Sequence, residues 1–252
     1  MRRVLAILLC LLAAPLGAEE VVLGLSKDKV AITATFEGSE ILVFGAVKRE
    51  APIPETPLDV VITVAGPSLP VTVRRKDRRF GIWVNTDEVR LDAAPTFYAV
   101  ATTGPLDAVL TATEDLRHRV SIPRAIRSVG AASMAADAES FTEALIRIRT
   151  EQNAYQLRES TVAFDEQTLF RTAIRLPSNL TEGVYATRIF LTREGRVVSR
   201  FETVIDVRKV GLERWLFTLS RQEPLAYGLL SLAIAIAAGW GASAVFQVLR
   251  RG

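Results

Sequence analysis

The residues whose types and spacing could do chemistry are concentrated in one basic run, residues 73–80. Its cations are Arg74, Arg75, Lys76, Arg78 and Arg79. Apolar alternation on both sides predicts a β-hairpin that turns near Lys76-Asp77, which would place Arg75 opposite Arg78 and Arg74 opposite Arg79. Like charges opposed across two strands destabilise a sheet, and a bound anion would offset that cost. The run therefore indicates an anion-binding site for a lipid headgroup, an acidic partner or a small oxyanion. The alternative is a solvated hairpin tip with screened charges.

Support for catalytic or metal chemistry is thin. The chain has one histidine, His118, which lies between two arginines and which we expect at the surface. One histidine cannot build a multi-histidine zinc site, and no serine lies in a Gly-x-Ser-x-Gly turn. Catalysis by carboxylates alone stays open, because 28 acidic residues always offer pairs, but no pair stands out. We therefore predict a non-enzymatic protein with no catalytic residue, metal or cofactor.

The C-terminal segment predicts a single membrane span at residues 224–249. Leu225–Leu249 carries no charged side chain and is followed by Arg250-Arg251. As a helix it rises about 37 Å, enough to cross a hydrocarbon core of about 30 Å. Lys and Arg are enriched on the cytoplasmic side of spans, so residues 250–252 are predicted to form a short cytoplasmic tail.

The N-terminal segment has the layout of a secretory signal peptide at residues 1–18. A basic start is followed by a short apolar core, Val4–Leu12, and by small residues ending at Ala18. We expect cleavage after Ala18, although Leu16 is large for its position and an uncleaved anchor is the alternative. The bulky residues before Cys10 argue against a lipoprotein. The bulk of the chain is thus predicted on the periplasmic side of the inner membrane.

The mature composition excludes some partners. Loss of Arg2 and Arg3 leaves 29 basic against 28 acidic residues, a net charge of +1, which gives no indication of nucleic-acid binding. Loss of Cys10 leaves no cysteine for a disulfide or a thiolate metal site. The remaining partners are the lipid of the inner membrane and an integral membrane protein.

Elements flanking the basic run predict an immunoglobulin-like β-sandwich. Short strands with one apolar face recur from Glu20 to about Thr113, which gives a β-sandwich domain at 19–125. An amphipathic helix is predicted from Asp137 to about Tyr155, inside a helical connection at 126–155. Its N-terminal cap is either a capping box at Ser140–Glu143 or Asp137. Strands return at 156–209 with a turn at Arg193–Arg196, and they form a second small sandwich or complete the first.

Two features near the membrane indicate contacts with lipid and protein. Residues 210–223 form an amphipathic segment with Trp215 as an interface anchor. Small residues recur every four positions on one face of the span, which allows another helix to approach closely. They are Ser231, Ala235, Gly239 and Ser243.

The sequence also resembles a family of predicted alphaproteobacterial transmembrane proteins with a signal sequence and a C-terminal span. The resemblance is carried by Lys29–Thr33, Phe36–Ser39, Val43–Ala46, Gly66-Pro67, Val73–Lys76, Gly81–Asn85 and Pro95–Val100. The family has no assigned activity and supplies no site residues. Its members are often encoded beside a transporter of the sulfite-exporter type, which implies an accessory role.

These observations favour a membrane-anchored periplasmic interaction or accessory protein, and the resemblance implies that it serves an inner-membrane transporter. The alternative is an oxyanion-binding or sensing module that uses the basic hairpin at 74–79.

Overall fold

A computed structural model describes residues 20–32, 37–49, 54, 56–128, 138–210 and 212–251. The chain is mainly β with a C-terminal apolar helix, as predicted. Its contacts divide it into two units, one made of residues up to Val30 and from Glu37 to Val207, the other of Ala31, Ile32 and the chain from Arg208 onward. The predicted signal peptide lies outside the described residues.

Seven strands are followed by four helices, then by five strands and two C-terminal helices, among the described residues. The strands are β1 (Glu20–Leu25), β2 (Lys29–Ile32), β3 (Ser39–Lys48), β4 (Asp59–Ala65), β5 (Ser68–Arg79), β6 (Ile82–Pro95), β7 (Tyr98–Thr102), β8 (Tyr155–Arg158), β9 (Ala163–Asp165), β10 (Leu169–Leu176), β11 (Gly183–Arg193) and β12 (Arg196–Lys209). The helices are α1 (Leu106–Val109), α2 (Ala112–His118), α3 (Ile122–Ala125), α4 (Ala138–Glu151), α5 (Leu212–Gln222) and α6 (Pro224–Arg251).

The strands form two larger sheets and one separate hairpin. Each larger sheet combines strands from the first and from the second β region of the chain. The four-stranded sheet has the order β1-β3-β10-β9, and the six-stranded sheet has the order β2-β12-β11-β4-β7-β8. β5 and β6 pair only with each other among the described strands. Because β10 pairs with β3 and β11 with β4, the strands of 156–209 add to the sheets that the first region begins.

Burial along each strand depends on whether one or both of its faces are covered. In β3 the buried residues alternate with exposed ones from Ile41 to Val47, as a strand with one covered face requires. In β4 every residue from Val60 to Val64 is buried, so the centre of the six-stranded sheet is covered on both faces.

One face of that sheet carries a core shared with the helices and the base of the hairpin. Tyr98 and Phe190 of the sheet cluster with Phe141 and Leu145 of α4 and with Val89 of β6. The predicted amphipathic helix is thus confirmed as an element, and it packs through Phe141 and Leu145.

The predicted end of that helix was wrong, whereas its observed start at Ala138 is one residue from the predicted one. Ser140–Glu143 lies inside the helix and does not form the N-terminal capping box; the alternative cap, Asp137, lies outside the described residues. The helix ends at Glu151, and Tyr155 instead begins β8. The reason is local: Asn153 adopts a left-handed φ of 56°, a conformation that ends a helix and that Asn tolerates.

The expectation of strands as far as Thr113 was also wrong, since α1 and α2 occupy 106–118. The Thr111 side chain caps α2 by accepting from the Glu114 backbone N–H at 3.5 Å. Arg119 ends α2 in the left-handed conformation. These short helices are set by their end residues rather than by a long periodic pattern.

The second unit contains the span. Pro224–Ser243 is long and apolar enough to cross a membrane, and none of it is buried, which confirms the predicted C-terminal span. The helices α5 and α6 are separated only by Glu223, whose N–H donates to the Leu219 carbonyl at 2.9 Å. In α5, Trp215 is half-exposed and the Arg221 guanidinium lies 5.4 Å from the centre of the Phe217 ring.

Candidate functional site

The basic run lies on one strand of a long hairpin, and its predicted turn was wrong. The turn is Phe80-Gly81, with φ angles of 51° and 86°, which are the positive values of a type I′ turn. Lys76 and Asp77 remain extended within β5. Gly81 adopts positive φ without steric cost, whereas Lys76-Asp77 contains no glycine.

The predicted opposition of arginines was therefore wrong as well. Arg74 lies opposite Glu88 and Arg75 opposite Asp87, while Arg78 and Arg79 face Trp83 and Ile82. The Arg74 Nε is 3.1 Å from Glu88 Oε2. Arg75 donates to Ser140 Oγ at 2.7 Å and lies 4.7 Å over the Phe141 ring. A small-oxyanion site between facing arginines has no basis in this register.

The outer part of the hairpin carries exposed apolar and basic side chains together. Its base belongs to the core through Val73 and Val89, and the residues between them are exposed or half-exposed. At the apex Phe80, Ile82 and Trp83 are 106%, 64% and 69% exposed. Lys76, Arg78 and Arg79 lie beside them and are exposed too.

A second candidate site, which sequence reasoning missed, is an apolar groove of about 620 Å³ across the four-stranded sheet. Exposed apolar side chains from three strands line it: Val22, Leu42, Phe44 and Leu169, which are 42–56% exposed. At one end Arg171 lies 3.8 Å from Asp165, both of which also line the groove.

The groove follows from the strand registers. Val22 and Leu169 both pair with Ala46, so a small side chain lies between two large ones. Gly24 pairs with Phe44, and the Phe44 ring lies so close that a Cβ at Gly24 would be 2.4 Å from its Cε2 atom. Small residues in the middle of a sheet face thus leave a hollow that larger neighbours border.

The sequence held a signal for this site. In Ile41–Phe44 apolar residues occupy both faces of one strand, although only one face of β3 is buried. An apolar residue on the outward face of a half-covered sheet indicates a binding surface when several such residues are adjacent.

A third polar cluster centres on Arg188 and has a structural role. Its guanidinium donates to the carbonyl oxygens of His118 and Arg119, at 2.8 and 3.1 Å, which end α2. It also donates to Tyr98 Oη at 3.1 Å. Burial raises the pKa of Tyr98 above its ordinary value, although the Arg188 charge opposes that shift. The two bonds to backbone carbonyls fix the end of α2 on the sheet, and a further bond from Nε to Thr63 Oγ1, at 3.2 Å, holds the side chain against β4.

The expectation that His118 lies at the surface was wrong. Its side chain is 18% exposed, with Nε2 3.3 Å from Glu114 Oε2, and its ring centre is 5.3 Å from that of Phe190. The backbone of α2 turns it onto the sheet, so the flanking arginines gave no information about its side. Across the part of the chain that is described, no group of three or more His, Cys, Asp or Glu residues could hold a metal ion.

The small residues of the span lie on an open face. Ser231, Ala235, Gly239 and Ser243 are exposed, and a Cβ at Gly239 would meet no atom within 4 Å. The Ser231 hydroxyl donates to the Tyr227 carbonyl at 2.9 Å, so the hydroxyl is satisfied within the helix.

Comparison with known proteins adds one match. A protein-family model described as "Putative transmembrane protein (Alph_Pro_TM)" matches residues 20–248. A search of curated proteins found no match.

Proposed function

The chain belongs to the Alph_Pro_TM family of transmembrane proteins, and on that premise we propose that it is a membrane-anchored, non-enzymatic interaction protein. Its β-rich unit presents the apolar groove of the four-stranded sheet to an outer segment of an integral membrane protein. The resemblance noted above makes an inner-membrane transporter the first candidate for that partner.

The proposal includes a location and an orientation. The signal-like residues 1–18 and the basic end at Arg250-Arg251 support a chain in the inner membrane with its bulk periplasmic and its C-terminus cytoplasmic. A phosphatase reporter that works only outside the cytosol, fused after Gly252, should be inactive. An active fusion would contradict the orientation without bearing on the groove.

We also propose an immunoglobulin-like sandwich for the β-rich unit. The support is the alternation of buried residues in β3 and β10 and the burial of both faces of β4. Packing of the two sheets face to face would bury the strand residues that neither the helices nor the base of the hairpin cover.

The groove is the observation that carries the function. Single exposed apolar side chains are ordinary on a protein surface, but adjacent ones that line a hollow of about 620 Å³ are typical of binding surfaces. A polar rim formed by Arg171 and Asp165 beside an apolar centre is the usual arrangement of a protein interface.

Site-specific photocrosslinking in native membranes tests this function. A photoreactive residue at Leu42, inside the groove, should give one discrete adduct with an integral membrane protein. The matched control is Leu116, which is similarly exposed at 59% but lies on α2, and it should give none. Ala46→Trp should remove the Leu42 adduct because the indole fills the hollow. No adduct at Leu42, or the same adducts at both positions, would refute the proposal.

A further inference from the structure

We propose that the hairpin tip, defined as residues 76–85, binds the headgroup layer of an anionic membrane and inserts Phe80, Ile82 and Trp83 into it. This inference does not rest on the proposed groove. It requires only that the chain is anchored in a membrane, which family membership and the span support.

The first support is the projection of the tip away from the core. Val73 and Val89 are paired and buried, and they form the last core pair before the turn. From them to Phe80 the ribbon extends about 20 Å, since a strand rises about 3.3 Å per residue. An isolated two-stranded ribbon is only marginally stable in water. The large apolar residues of the apex therefore do not serve the core.

The second support is the residue at the apex. Phe80 adopts a φ of 51° at a turn position that Asn, Asp and Gly favour. An aromatic residue is disfavoured in that conformation, and here it is fully exposed, so folding alone does not explain it. Ile82 and Trp83 are adjacent in β6, so they project from opposite faces of the ribbon. Both faces of the apex thus carry a large exposed apolar side chain, and Trp in particular prefers the membrane interface.

The third support is charge. Lys76, Arg78 and Arg79 against Asp77 give the tip a net charge of +2. Arg78 pairs with Trp83 and Arg79 with Ile82, so each arginine lies beside an apolar side chain. Long cationic side chains can lay their stems along apolar surface while the charged end reaches a phosphate. The positive tip would repel the tip of a second copy, and a convex apex offers no pocket to a protein segment.

The covalent connection between the β-rich unit and the span keeps a membrane within reach of the hairpin tip. Fourteen residues, 210–223, join the end of β12 to the start of α6. Even fully extended they reach about 50 Å. The tip therefore searches for lipid at a high effective concentration, and a weak surface affinity is sufficient for binding.

The experiment uses the full-length chain, with Cys10→Ser, reconstituted in phosphatidylcholine vesicles with or without phosphatidylglycerol. A fluorescent label is attached at Phe80→Cys, and a control label at Leu116→Cys. In anionic vesicles the label at position 80 should shift to shorter wavelength, be quenched by spin-labelled lipid and resist aqueous iodide. The control label should remain accessible to iodide.

Variants then separate the apolar from the ionic contribution. Trp83→Ser should lower the equilibrium constant for insertion about tenfold. Arg78→Ser and Arg79→Ser should each lower it about fivefold, and only in anionic vesicles. The matched controls are Leu116→Ser and Arg200→Ser, whose side chains are exposed outside the tip, and neither should change it.

Three results would overturn the proposal. Equal iodide quenching at positions 80 and 116 would show that the tip stays in water. A label shielded from iodide but not reached by spin-labelled lipid would show that protein covers the tip. Insertion that ignores both phosphatidylglycerol and the two arginines would exclude recognition of anionic headgroups.

Discussion

Two glycines in neighbouring strands should respond differently to the same change, Gly→Ala. Gly45 points into the core, where a Cβ would lie 2.5 Å from Phe170 Cζ and 2.7 Å from the Val22 carbonyl oxygen. Phe170 is 1% exposed and has no room to move. Gly24 points outward, where a Cβ would lie 2.4 Å from Phe44 Cε2. Phe44 is 42% exposed, so its ring can rotate away.

The magnitudes follow from these surroundings. Overpacking a core costs about 1–3 kcal/mol, whereas alanine's smaller unfolded-state entropy returns about 0.4–1 kcal/mol. Gly45→Ala should therefore lower the free energy of unfolding by about 1.5 kcal/mol. For Gly24→Ala a strained ring rotamer costs about 0.5–1.5 kcal/mol, and the same entropy term offsets most of it. The net change should be about 0.5 kcal/mol or less.

Thermal unfolding of the full-length protein in detergent, followed by near-UV circular dichroism, measures the difference. One kcal/mol corresponds to about 2–4 °C for a unit of this size. Tm should fall by about 3–6 °C for Gly45→Ala and by less than about 2 °C for Gly24→Ala. Crosslinking from Leu42 provides the converse readout, because only Gly24→Ala drives the Phe44 ring into the groove. A larger loss of Tm for Gly24→Ala, or a groove adduct lost only in Gly45→Ala, would refute the reasoning.

Three further outcomes are expected. Arg188→Met should lower Tm by about 4–8 °C, because it leaves the carbonyls at the end of α2 without their charged donor. The control Arg200→Met breaks an exposed pair with Glu202 and should change Tm by less than about 2 °C. Equal losses in the two variants would contradict the structural role of Arg188. Burial raises the pKa of Tyr155 from 10.0 to about 12. The stability that the protonated hydroxyl contributes is therefore fully present below pH 10 and falls by up to about 3 kcal/mol as pH rises through 12. Thermal melts from pH 8 upward should show this decline, and Tyr155→Phe should make the decline smaller. If the small-residue face of the span packs on a partner helix, Gly239→Leu should abolish the Leu42 crosslink while Gly241→Leu retains it, and the opposite order would exclude that face.

The periodic elements could be predicted because burial imposes a pattern on them. The existence of the amphipathic helix near Ala138–Glu151 and the turn at Glu194-Gly195 both follow from residue types alone. The span at residues 224–249 could be predicted for a similar reason, because a helix that crosses lipid requires a long run of residues without charged side chains.

The pairing register of the hairpin could not be predicted from a burial pattern. Both faces of its outer part are exposed, so no burial pattern fixes which residues pair. The useful signal was Gly81, the residue in that segment that tolerates positive φ without strain, and it outweighs the polar character of Lys76-Asp77. The register decides the site, because it sets Arg74 and Arg75 against carboxylates instead of against other arginines.

The groove was missed for a different reason. It depends on Ala46 and Gly24 lying beside larger residues of other strands, and such cross-strand adjacency is invisible until the sheet order is known. The outward Leu42 and Phe44 indicated a surface, but not a hollow.

The pairing of β2 with β12 has a consequence for biogenesis. Ribosomes deliver the second strand early, whereas its neighbour in the six-stranded sheet arrives last, just ahead of the hydrophobic anchor. The β2 edge of the sheet therefore cannot form until nearly the whole β-rich part of the chain has been synthesised. Completion of the β-rich body and synthesis of the apolar helix that follows it are therefore closely linked in time.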